Sequence, residues 1–410
     1  RDRSVSRGLG DVYKRQATSF PKAPGTAEAI TNYILNIGSS INRGAYSKAF
    51  EAENIAFETR ELLCELFNFS KPENVIFTGN ITQSLNILIK GLLKPNDHVI
   101  VSSMEHNAVM RPLNSLEKIG IQISKCPCDN LGQLDLSALP NLIKSNTKAV
   151  IMTHASNVCG TILPLKEVGE ICREHNLFFI IDSAQTAGFL DLDFQSLNAS
   201  AIAFTGHKGL LGPQGIGGFL INNELNSHIS PLIEGGTGSL SELETQPLYM
   251  PDKFESGTPN IPGIYGLNAS LKYILKEEIS NIREKELMLT AAFLEGVSSI
   301  NGINIIGLKG IENRTPTISL DFIGMDNGII CHVLNKNYGI STRSGLHCAP
   351  SAHKALNTFP KGTVRFSFSH FTTLEDISYS LGAISSIIKN SHNIRSVSYT
   401  HLRAHETLSD

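Results

Sequence analysis

Residues 199–220 read ASAIAFTGHKGLLGPQGIGGFL. Ala201-Ile202-Ala203-Phe204 is a short, wholly apolar run and predicts a buried strand. Thr205-Gly206-His207-Lys208-Gly209 follows, and the glycines beyond it let the backbone turn tightly and come close to a ligand. A lysine at the end of a buried strand is well placed for chemistry. Desolvation or neighbouring cations lower its pKa and free the amine as a nucleophile, as in Schiff-base lysines. A solvated lysine in a glycine-rich turn fits this stretch equally well, so the decision lies in the residues around it.

Upstream, strands are predicted at 75–78, 98–101, 121–125, 149–153 and 177–181; between them 79–86 turns into a helix that runs to about 93, and further helices are predicted at 136–144 and 165–175. Helices at 26–37 and 48–66 come first. Strand and helix alternating over about 150 residues is the pattern of a parallel α/β sheet with right-handed crossovers. In such sheets ligands bind at the carboxyl ends of strands. Thr82, His106, Asn157, Asp182, Gln185 and Lys208 all fall just after predicted strands.

Three of these residues point further on their own. Thr82 opens a helix after a strand and a glycine, the layout in which backbone amides and the helix dipole bind an anion; an ordinary helix cap would look the same. His106 could stack on a flat ring or serve as a structural hydrogen-bonding group. Asp182 ends a strand apolar enough to be buried on both faces. A carboxylate there needs a cationic partner to stay ionised, and a protonated pyridine nitrogen would be one. This convergence favours pyridoxal phosphate held by Lys208 over the solvated lysine.

Beyond residue 221, 235–239 is a glycine-rich segment expected to be flexible. Helices are predicted at 261–280 and 282–299, and the remainder, with strands at 317–322 and 363–367 and helices at 327–336 and 374–389, reads as a smaller α+β domain. The loop 341–351 holds Arg343, His347 and Cys348, a setting expected to favour thiolate; an inert buried cysteine is the plainer alternative. Arg365 lies in an otherwise apolar strand, where its charge requires a carboxylate or phosphate, and a substrate carboxylate would serve.

The whole chain sets outer bounds. With 410 residues, 41% hydrophobic and 18% charged, it can bury two domains. A net charge of −3 gives no reason to expect nucleic acid, and no apolar run reaches membrane-spanning length. Seven scattered cysteines do not form a disulfide framework, so a reducing cytoplasm is the default. Cys126-Pro-Cys128 lacks a second ligand pair at zinc spacing, and no metal site is expected. Residues 1–16 and 396–410 look foreign to the fold and resemble translated adapter sequence; disordered tails are the alternative.

THASNVCG, IIDSAQ, FTGHKGLLGPQGIGG, ESGTPN and RSGLHCAP occur in that order. Together they resemble the cysteine desulfurases and selenocysteine lyases, within aminotransferase class V of the fold-type I PLP enzymes. The resemblance spans about 17–389. It implies an α/β large domain at 28–281 with a mainly parallel seven-stranded sheet flanked by helices. It also implies a small C-terminal α+β domain at 282–392 that 17–27 joins, with 1–16 and 393–410 outside the native fold. Lys208 would be the Schiff-base lysine, Asp182 the partner of the pyridinium nitrogen, Gln185 a contact to the phenolic oxygen, and His106 the stacking ring. Thr82, Thr205 and His207 would hold the phosphate. Thr258 would reach the phosphate of the second subunit of a homodimer. Asn157, Arg343 and Arg365 would bind the substrate, and Cys348 would take its sulfur as a persulfide. L-Cysteine is the implied substrate, with L-selenocysteine, another class V lyase or transaminase reaction, or a non-catalytic scaffold as alternatives. The acceptor would be an iron–sulfur scaffold, a tRNA-modifying protein or a thiol. Two departures stand out. Asn80-Ile81-Thr82-Gln83 replaces the usual Gly-Thr-Thr-Glu, and Lys14-Arg15-Gln16 stands where relatives carry an Asp-Asn pair, as if the N-terminus were truncated.

Overall fold

The computed structural model describes residues 18–41 and 46–390; the expected foreign ends and most of the 42–47 loop lie outside these. The chain opens with α1 (Thr26–Asn32), which widens into a π turn over Tyr33–Ile37, and α2 (Ser47–Leu66). The predicted apolar runs then form β1 (Val75–Thr78), β2 (His98–Ser102), β3 (Gln122–Cys126), β4 (Thr147–Thr153), β5 (Phe178–Asp182), β6 (Ala201–Thr205) and β7 (Gly217–Ile221). Between and after them come α3 (Ile81–Leu92), α4 (Asn107–Leu116), α5 (Leu139–Leu142), α6 (Leu165–Glu174), α7 (Asn223–His228) and α8 (Ile261–Glu277).

These strands make one sheet in the order β1-β7-β6-β5-β4-β2-β3. β3, β2, β4, β5 and β6 are parallel, and β7 runs antiparallel to both its neighbours. The apolar runs do not alternate with polar residues because both faces are covered. Val99, Val101, Ile151, Ile180 and Ala203 face one core with Leu85 and Leu88 of α3. Ile100, Val150, Met152, Ile181 and Phe204 face another with Leu63 of α2 and Leu267 of α8. Gly218 is required where β7 threads between β1 and β6. A Cβ there would lie 2.2 Å from the Ile76 carbonyl oxygen and 2.6 Å from the Phe204 ring.

Glu278, with φ at +63°, ends α8, and α9 (Ile279–Ser298) leads out of the large core. Ile282 is buried in that core, whereas Leu289 and Phe293 belong to a third one. The third core is enclosed by β8 (Ile303–Ile306), β9 (Thr317–Phe322), α10 (Asn327–Tyr338), β10 (Arg343–Gly345), β11 (Thr363–Ser367) and α12 (Leu374–Lys389). The short α11 (Pro350–Ala355) follows the Cys348 loop. The small sheet is antiparallel, in the order β10-β11-β9-β8.

One expectation is revised. Residues 18–23, assigned to the small domain, instead lie on the large one. Ser19 N donates to His207 O at 2.8 Å, Ala23 N donates to Leu211 O at 3.0 Å, and Ala23 is buried in the large core. The turn after β6 leaves carbonyls without sheet partners, and the entering chain supplies the donors. The segment 235–239, expected to be flexible, is hydrogen-bonded to its surroundings. Gly235 N donates to Gln246 Oε1, Gly257 N to Gly236 O, and Ser239 and Tyr249 share Asp252.

The loop after β4 joins the two domains. Ile162 N donates to Asn313 O and Thr315 N to Gly160 O, both at 2.8 Å. Arg314, 1% exposed, gives its guanidinium to five backbone carbonyls: Cys159, Leu308, Gly310, Thr315 and Thr317.

Candidate active site

A cavity opens at the carboxyl ends of the parallel strands and is closed on one side by the small domain. Thr82 enters it from the first turn of α3, His106 from the start of α4, Asn157 from the loop after β4, and Asp182 and Gln185 from the end of β5. Thr205, His207 and Lys208 come from the end of β6, and Arg343 and Arg365 from β10 and β11. Crossovers return the parallel strands in one direction and bring residues 82–208 to the same end, and β10 and β11 of the small antiparallel sheet bring Arg343 and Arg365 to it. Two predicted residues do not line the cavity. Thr258 is exposed in the segment before α8, and Cys348 is exposed at the rim.

At one end, the donors suit an anion. Asn80 caps α3, its side chain accepting from Gln83 N at 3.0 Å, and Asn80, Ile81 and Thr82 line the wall. Thr205 Oγ1 and His207 Nδ1 are buried without a hydrogen-bond partner. Burial first, then the charges of Lys208 and Lys22, pushes His207 down to about 4, so its ring is neutral near pH 7. Orphaned polar atoms beside a helix N-terminus are what a bound phosphate would satisfy.

Asp182 is 2% exposed, and its carboxyl accepts from Ala184 N at 2.9 Å. Burial raises its pKa, while the Ala184 hydrogen bond and Lys208 oppose the rise. A cationic ring nitrogen beside it would favour the charged form. His106 Nδ1 accepts from Ala108 N at 3.0 Å, which leaves the proton on Nε2. Burial, followed by Lys208 and Arg343, Arg365 and Arg111, holds His106 down at about 4.

At the small-domain wall, Arg343 and Arg365 are direct cross-strand partners. Like charges opposite one another are unfavourable, which makes the wall a place for an anion. Arg365 Nη1 donates to Asn157 O at 2.8 Å, and burial first, then Arg343, lowers its pKa to about 10. Asn157 commits its amide to the His347 carbonyl at 2.7 Å. Arg343 Nη2 lies 3.5 Å from Cys348 Sγ. The expected help of His347 to the thiol is corrected here. Its ring is 2% exposed, donates inward to Thr363, and is pushed down to about 2, chiefly by burial. The cation beside Cys348 is therefore Arg343.

The sequence reading missed several residues. Thr18 and Ser19 line the cavity, reached through Lys22 Nζ and His207 O across more than 180 positions, which no local pattern signals. Glu105 is fully buried between strands. Both its oxygens accept from Thr153 N, Ser102 Oγ donates to it, and burial raises it to about 8. Its place beside His106 after a strand was the available sign.

The aminotransferase class-V family model matches residues 12–379. The chain belongs to the aminotransferase class-V family. Within it, an Escherichia coli O157:H7 protein named cysteine desulfurase is 30% identical over 379 residues, covering 90% of this chain and 91% of the relative. A Methanothermobacter thermautotrophicus protein named "probable cysteine desulfurase" is 32% identical over 371 residues, with 89% and 92% covered. The apo structure of the cysteine desulfurase from Thermococcus onnurineus NA1 superposes with a TM-score of 0.85 at 30% identity, covering 92% of this chain and 94% of that one. This class-V chain therefore has the fold-type I architecture, a large sheet domain with a C-terminal domain packed on it. No helix among the described residues is long and apolar enough to cross a membrane.

Proposed function

We propose that the chain is a pyridoxal-phosphate-dependent cysteine desulfurase, which converts L-cysteine to L-alanine and leaves the sulfur on Cys348 as a persulfide. The observation that carries the reading is one cavity bearing Lys208, Asp182 and two opposed arginines, with the Cys348 thiol 3.5 Å from one of them. Relatives named cysteine desulfurase along most of the chain support it.

The residues present fit the cofactor. Thr82, Thr205 and His207 would hold its phosphate, two of them offering buried unpartnered atoms. Asp182 would face the ring nitrogen, Gln185 the phenolic oxygen and His106 the ring, while Lys208 would hold the group through Nζ. When bound, pyridoxal phosphate draws electrons from the substrate α-carbon and eases loss of its proton.

The chain's own groups do the rest. Arg365, steadied by Asn157 O, and Arg343 bind the substrate carboxylate. Lys208 carries protons between the substrate carbons. Cys348, whose Sγ lies 3.5 Å from Arg343 Nη2, attacks the substrate sulfur as the thiolate. A sulfur–sulfur bond forms, the carbon–sulfur bond breaks, and its electron pair goes to the β-carbon, which ends protonated as the alanine methyl. A thiol acceptor then clears the persulfide. A cytoplasmic homodimer, with Thr258 serving the second subunit, belongs to this reading.

The test is alanine and sulfide formed from L-cysteine with pyridoxal phosphate and a thiol reductant. Cys348→Ala should abolish both; unchanged sulfide release would overturn the persulfide step.

A further inference from the structure

Beyond the groups that would touch substrate or cofactor, we propose that His347 is a positioning residue. It holds the backbone of Cys348 through a one-way hydrogen-bond relay to Thr363, Ser319 and the Val158 carbonyl. The inference rests on the reading of Cys348 as the reacting thiol.

Counting protons fixes the direction of the relay. Ser319 Oγ lies 2.7 Å from Val158 O, and a carbonyl only accepts, so Ser319 spends its single proton there. Thr363 Oγ1, 2.9 Å from Ser319 Oγ, must then donate to it. His347 Nε2, 3.0 Å from Thr363 Oγ1, must donate in turn. The imidazole is thereby held as the Nε2–H tautomer with one orientation. The relay also closes on itself. Asn157 Nδ2 donates to His347 O at 2.7 Å, so Asn157 and Val158 grip His347 at its backbone and at the far end of its side-chain chain.

The loop needs such a grip. His347 and Cys348 are consecutive non-glycine residues at φ +48° and +58°, in the left-handed region that side chains disfavour. Conformations of this kind persist when their surroundings over-determine them. Residues 157–158 come from the large domain and Ser319 and Thr363 from β9 and β11, so the relay registers the thiol against both domains at once. Loss of the relay should let Cys348 leave Arg343, to which it is held at 3.5 Å.

The decisive comparison is Thr363→Val, which keeps the side-chain shape without the hydroxyl, against Thr363→Ser, which keeps the hydroxyl. The readout is the alkylation rate of Cys348, followed by peptide mass spectrometry, with iodoacetate and with iodoacetamide. Arg343 favours the anionic reagent in the intact loop, so the ratio of the two rates reports the contact. Both variants are measured in the full chain loaded with pyridoxal phosphate, without L-cysteine. Thr363→Val is expected to lower the iodoacetate preference at least threefold, and Thr363→Ser to retain it. A ratio unchanged in Thr363→Val, or lowered equally in both variants, would overturn the proposal. Should Thr363→Val not fold, Ser319→Ala breaks the next link, and the same fall or constancy of the ratio decides. Alkylation needs no turnover. A Cys348 that alkylates as proposed but never carries sulfur would instead overturn the desulfurase reading alone.

Discussion

The amide of Asn107 donates to the carbonyl of Cys348 at 2.7 Å, so the residue after His106 and the thiol-bearing residue are joined across the two domains. Asn107 N is a first-turn amide of α4 and has no partner within its own helix. Cys348 supplies the acceptor, and the loop and the helix start cannot move independently. The rim thiol thus keeps a fixed relation to the cavity although it lies outside the lining.

Arg365→Ala should raise KM for L-cysteine about ten- to a hundredfold, the loss expected for a hydrogen-bonded charge on a carboxylate. Steady-state kinetics check this. A fall in kcat alone, with KM unchanged, would mean that Arg365 does not bind the substrate ground state.

Lys208→Ala should leave the fold intact and remove covalent retention of the cofactor. Borohydride treatment of loaded wild type should add the cofactor mass irreversibly, and the variant should gain none. The informative contrary result is labelling at Lys22. Burial lowers that amine to about 8, and it hydrogen-bonds Thr18 and Ser19 at the cavity wall.

Stability should fall as the solution is acidified from pH 7 to pH 5. His98, His106, His154, His207 and His353 are each held down to about 4 and His347 to about 2, with burial the first cause in every case. The unfolded chain binds these protons near pH 6.5, before the folded one does, so protonation favours unfolding between about 6.5 and 4. Glu105, raised to about 8, and Asp182, also raised, act in the opposite sense, since the folded state takes those protons first. Six groups outweigh two, at about 1.4 kcal/mol per pH unit for each net proton. Thermal unfolding should show a lower Tm at pH 5 than at pH 7; an equal or higher one would contradict the balance.

Arg314→Leu should destabilise the chain by about 3 kcal/mol or more, because buried carbonyls lose their donors. The carbonyls belong to residues 159, 308, 310, 315 and 317, so urea unfolding should also show the small domain loosening from the large one. A change below 1 kcal/mol would mean that water replaces the guanidinium freely.

The sheet was legible because a strand buried on both faces has to be apolar throughout, as Ile180 and Ile181 are. Polar residues at strand ends, such as Asp182 and Thr205, therefore stood out against their neighbours. Arg314 was not legible. Its partners are backbone carbonyls, which every sequence has and none advertises. Thr18 and Ser19 escaped for a different reason, since their partners lie at His207, and only the folded chain brings them together. His347 looked like a cation for Cys348 because it is adjacent in sequence, but left-handed backbone at both residues sends its ring to Thr363 instead.

The central claim is that Cys348 carries the sulfur. The measurement is the mass of the loaded protein after brief exposure to L-cysteine without reductant, followed by peptide mapping. The account predicts the added mass of one sulfur atom on the Cys348 peptide, absent in Cys348→Ala. Alanine formation with no added sulfur on Cys348, or the same added sulfur on another cysteine, would contradict it.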